Sequence, residues 1–83
     1  MDSEAVHTRL QEDLREARKK ARIALDRFNA ILTETPTGIP YPDGVQHIRA
    51  ASREHSAARE AVMFALRRLN DFVIHGTIPE DMK

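Results

Sequence analysis

From Leu10 onward the apolar residues return at alternating spacings of four and three: Leu10, Leu14, Ala17, Ala21, Ala24, Phe28 and Ile31. After a break the alternation resumes through Ile48, Ala51, His55, Ala58, Val62, Ala65, Leu69 and Phe72, with His55 in the one polar slot. A 3.5-residue repeat kept up for about four heptads predicts two long helices whose apolar seams pack in coiled-coil fashion. The break is Pro36, Gly38, Pro40, Pro42 and Gly44, all within nine residues. No helix runs through such a cluster, because proline lacks the backbone donor and clashes with the preceding turn. The predicted fold is all-α, an antiparallel two-helix hairpin forming a single domain over 1–83. Helix 1 is expected at about 3–34, a proline- and glycine-rich loop at 35–43, helix 2 at about 44–75 and a tail at 76–83.

The ends carry start and stop chemistry. Thr35 precedes a proline and is pushed out of the helical region, which ends helix 1 near Glu34. Ser3 is the expected cap of helix 1, and Asp43 with Gln46 three residues on is the expected capping box of helix 2. Gly76 is free to take the left-handed conformation that stops helix 2. Folding the arms so that paired positions sum to about 79 sets Phe28 against Ala51, Ala17 against Val62, His7 near Phe72 and His55 near Ala24. Most central layers then oppose a large residue and a small one, which lets two helices interdigitate. The same register puts Arg27 near Glu54 and Asp13 near Arg68.

More apolar surface is present than one seam hides. Leu25, Leu32, Leu66 and Val73 lie beside it, Met63 and Phe64 further round, and residues 61–66 are apolar on every side. Helices of that kind are normally buried all round, and domains this small commonly gain stability by assembly. The expected partner is therefore a second copy, the two hairpins packing as a four-helix bundle through Leu25, Leu32, Met63, Phe64, Leu66 and Val73. A head-to-tail twofold arrangement would bring the loop-end pair Leu25 and Leu32 beside the partner's tail-end residues. The alternative occupant of that stripe is an amphipathic helix of another protein.

Composition narrows the chemistry. Thirteen basic residues balance thirteen acidic ones, and cysteine is absent, which excludes disulfides and thiol chemistry. No apolar run approaches the roughly 20 residues of a membrane span, and the acidic start, Asp2 and Glu4, is unlike a signal peptide. These features point to a cytoplasmic protein without a membrane partner. The four histidines are too scattered along the expected hairpin to share an ion, and Glu-x-x-His is missing, so neither a metal nor a cofactor is expected. On the seam, His55 is expected to help set the register. Arg15, Arg18, Lys19, Lys20, Arg22 and Arg27 could track a phosphate backbone, but interleaved Glu16 and Asp26 and the lack of aromatic neighbours make nucleic-acid binding the weaker reading. No nucleophile stands beside a base and no glycine-rich phosphate loop occurs, so no catalytic residue is assigned and the chain is not expected to be an enzyme.

The loop and tail are the most distinctive segments. Tyr41 sits between two prolines, and Ile39, Tyr41, Asp43 and Ile78 form a candidate recognition set, with capping of the bundle end as the alternative role. The runs Gly38-Ile39-Pro40-Tyr41-Pro42-Asp43-Gly44, Arg68-Leu69-Asn70-Asp71-Phe72 and Gly76-Thr77-Ile78-Pro79-Glu80-Asp81 resemble those of short bacterial helical-hairpin proteins of unassigned function. The resemblance covers the loop, helix 2 and the tail. It implies the hairpin fold and no particular activity.

Overall fold

A computed structural model describes residues 2–34 and 42–83, so the expected recognition residues Ile39 and Tyr41, and the side chain of Asp43, lie outside what it describes. Helix α1 spans Ser3–Glu34 and helix α2 spans Pro42–His75; a 3-10 turn follows at Glu80–Met82. The two helices pack side by side along a rod 56 × 18 × 16 Å. No strand occurs among the described residues, and no helix there is long and apolar enough to cross a membrane.

Helix α1 begins where the sequence places it but with a different cap, and helix α2 begins earlier than expected. Asp2 caps α1, its Oδ1 accepting from the Ala5 amide at 2.7 Å, while its carbonyl accepts from Val6 at 3.0 Å. Ser3 is already inside the helix. Its neighbour's carboxylate wins because it brings formal charge to the positive end of the helix as well as an acceptor. Helix α2 begins at Pro42 rather than at residue 44, so Asp43 lies within the first turn and does not precede it. Proline suits a first helical position, where its ring fixes φ and no amide donor is needed.

Helix α2 ends as expected. Gly76 has φ +69° and its amide donates to the Phe72 carbonyl at 2.9 Å, the left-handed C-cap that a side chain disfavours. A Cβ built on Gly76 meets nothing within 4 Å, so the cost of substitution there is backbone strain alone. Gly76→Ala is expected to lower stability by about 1 kcal/mol and Gly76→Asn by less, read as a shift in the urea midpoint at constant slope.

The seam follows the heptad positions. Leu10, Leu14, Ala24, Ala51 and Ala65 are buried, and Ala17, Ala21, Phe28, Ile31, Ile48, His55, Ala58, Val62, Leu69 and Phe72 are half-buried. Three cross-pairs fix the antiparallel register: the His7 and Phe72 rings at 5.8 Å, Arg27 to Glu54 at 2.7 Å, and Phe28 stacked on His55 at 6.2 Å. The last differs from the expected His55–Ala24 layer by one turn. Side chains in a helix lean toward its N-terminus, so in antiparallel partners Phe28 and His55 lean toward each other and their rings meet. Asp13 does not reach Arg68. It pairs within its own helix to Arg9 at 3.2 Å, whereas Arg68 turns to the tail.

The tail closes the open end of the hairpin. Past Gly76 the chain folds back, and Met82 enters between the helix ends to form a cluster with Val6 and Leu10. Val6, Leu10 and Met82 are only 0%, 1% and 6% exposed. Leu69, Phe72 and Ile78 pack against them. Arg68 Nη2 donates to both carboxylate oxygens of Asp81, at 2.8 and 3.0 Å, which ties the tail to α2. The candidate recognition residue Ile78 is thus used within its own chain, half-buried on this cluster, because the positive-φ turn at Gly76 reverses the segment onto the helix ends.

Candidate functional site

The surfaces outside the seam are the places where this rod can act, and its two long flanks differ. On the flank where the tail lies, Lys20, Ile23, Ala24, Glu54, Ala58 and Ala61 line a shallow groove between the helices. The Arg27–Glu54 pair spans the same side, and the Arg68 guanidinium lies 5.3 Å from the Phe64 ring centre. Charges there alternate in sign, and both ion pairs are exposed enough to be worth at most about 1 kcal/mol each. Ile23, at 48% exposure, lines this groove, and Phe64, at 59%, stands about one turn beyond Ala61 on α2.

The opposite flank is of another kind. Two adjoining grooves share Arg18: one is lined by Gln11, Leu14, Arg15 and Leu69, the other by Ala21, Arg22, Leu25, Asp26, His55 and Arg59. Leu32 lies two turns beyond Leu25 on the same side of α1, and Leu66 and Val73 lie two and four turns beyond Arg59 on α2. Leu25, Leu32 and Val73 are exposed, and Leu66 is half-buried. The arginines therefore cluster at the middle of this flank, with Leu25 and Leu32 toward one end and Leu66 and Val73 toward the other, and Asp26 is the one carboxylate among the residues lining the two grooves.

Residues grouped by the sequence reading are thereby separated. Of the six expected to self-associate, Leu25, Leu32, Leu66 and Val73 share the arginine flank. Phe64 contacts Arg68 near the tail, and Met63 lies with it on the outward side of α2 beside Ser56 and Arg67. The basic stretch divides too: Arg15, Arg18 and Arg22 line the arginine flank, while Lys20 and Arg27 lie across the rod, Arg27 bonded to Glu54. His7 and His55 sit against aromatic rings, His47 and His75 are exposed, and no cluster of three metal-ligating side chains occurs among the described residues. Two residues central to the closed end, Val6 and Met82, escaped the sequence reading. A signal existed for Val6, four residues before Leu10, and a weaker one for Met82, four after Ile78.

Fold and surface together define a two-helix hairpin closed by its own C-terminal segment, with two chemically distinct flanks. No known protein family, curated protein or solved structure matches this chain.

Proposed function

We propose that this protein is a non-catalytic structural and interaction module, which self-associates through an apolar helix face. The observation behind this reading is the tail flank, where Ile23 lines an alanine groove and Phe64 stands exposed about one turn beyond it on α2. Large apolar groups arranged like this mark contact surfaces. The rod is 56 Å long, so this flank runs the length that a side-by-side copy would cover. Charge favours this flank over the other for self-contact. Alternating signs on Lys20, Arg27 and Glu54 can be matched by a twofold copy, whereas the arginine flank would meet its own positive charge. In a head-to-tail pair, Phe64 of one copy approaches the alanine groove of the other, a large group against small ones. Kinship with the bacterial hairpin proteins that the loop and tail resemble is part of the same proposal and adds no activity to it.

Molar mass by light scattering after size exclusion, between about 1 and 100 µM, tests the reading. Twice 9.5 kDa is expected, with Phe64→Glu returning a folded monomer and Leu25→Glu leaving the dimer intact. A wild-type chain that is monomeric, fully helical and cooperatively folded at 100 µM overturns it.

A further inference from the structure

Arg15, Arg18, Arg22 and Arg59 are all exposed, and none is ion-paired to a described residue, whereas Arg9, Arg27 and Arg68 are. They occupy the flank that also exposes Leu25, Leu32 and Val73. We infer that this arginine and leucine flank is a docking site for an acidic amphipathic helix of a second protein. The inference rests on the interaction-module reading but uses the face opposite the one assigned to self-association.

Three considerations select that occupant. A second copy would set four unpaired arginines against four more, with only Asp26 to offset them, and like charges in one interface oppose association. A phosphate backbone would satisfy the guanidinium groups yet leave Leu25, Leu32 and Val73 in water, and the one aromatic ring lining the grooves, His55, is already stacked on Phe28. An acidic helix answers both features. Arg15, Arg18 and Arg22 fall three and then four residues apart on one side of α1, the spacing at which carboxylates recur on one face of a partner helix. Guanidinium groups accept carboxylates in paired hydrogen bonds, which suits arginine better than lysine to this task. The apolar edge of the same helix would cover the leucines, as in helix-in-groove recognition.

The probe is a fluorescent 21-residue peptide with leucine at heptad core positions and glutamate at the flanking ones, compared with a twin carrying lysine for glutamate. Anisotropy at 50 and 300 mM salt is expected to show the glutamate peptide binding at least tenfold tighter than the lysine peptide. Arg18→Glu/Arg22→Glu should weaken it at least tenfold, and Arg18→Gln/Arg22→Gln by a smaller factor with the helicity of the native chain. Leu25→Ser/Val73→Ser should weaken it at both salt concentrations, and Lys20→Glu, on the other flank, should not. Equal affinity for the two peptides overturns the inference. So does displacement of the glutamate peptide by a single-stranded oligonucleotide whose own binding ignores the leucine substitutions, since that assigns the flank to phosphate. The molar mass of the same variants scores self-association separately, so either reading can fail while the other stands.

Discussion

Met82→Ala is expected to lower the unfolding free energy by about 2–4 kcal/mol, the range for a buried methionine truncated in a core that collapses only in part. The side chain is 6% exposed and touches the two most deeply buried large residues, Val6 and Leu10. Its removal leaves space between the helix ends and withdraws the apolar contact that holds the tail in place. The Arg68–Asp81 pair cannot substitute, because Asp81 is 67% exposed and solvent screens the attraction. For a chain of this size each kcal/mol corresponds to about 4–8 °C in the melting temperature, so thermal unfolding by circular dichroism reads the effect directly. Met63→Ala is the control: at 59% exposure it should change stability by less than about 0.5 kcal/mol. Equal effects from the two substitutions would show that the tail does not close the core.

The second large effect comes from adding atoms. Ala51→Leu is expected to destabilise by about 1–3 kcal/mol, although leucine is more apolar than alanine and nearly as good a helix former. Ala51 is 4% exposed on the seam, where the helices approach over small residues. Three further heavy atoms have no room unless the helices part, which would strain neighbouring contacts such as the Phe28–His55 stack. Ala24→Leu, at 3% exposure, should behave alike, and Ala5→Leu on the outer surface should be close to neutral. Urea unfolding of the three variants separates crowding from any general effect of leucine.

These two sites show where the sequence was legible and where it was not. Ala51 belongs to an unbroken 3.5-residue pattern, and periodicity alone assigns it to the seam along with its partners on α1. Arg27–Glu54 and His7–Phe72 follow from that register with no further information. Met82 lies past a helix stop in a segment without a period, and its burial depends on how Gly76 reverses the chain. Nothing local encodes that. Arg68 was matched to Asp13 for the same reason, since the competing carboxylate of Asp81 arrives only with the tail. The cap of α1 and the start of α2 lie one and two residues ahead of the expectation, because Asp2 and Pro42 each meet a terminal requirement first. The functional surfaces were legible as composition but not as geometry: Arg15 to Arg27 reads as one basic run until the helix distributes it over two flanks.

The buried position of Met82 also bears on how the chain comes to be made. During synthesis α1 emerges first as a helix with an apolar side and no partner, and the segment that seals its N-terminal end follows only after α2. At ~5–20 residues per second, the 48 residues from Glu34 to Met82 take roughly 2–10 s. For that interval Val6 and Leu10 are open to other nascent chains and to chaperones, and the cluster they form with Met82 assembles only after the tail has followed α2.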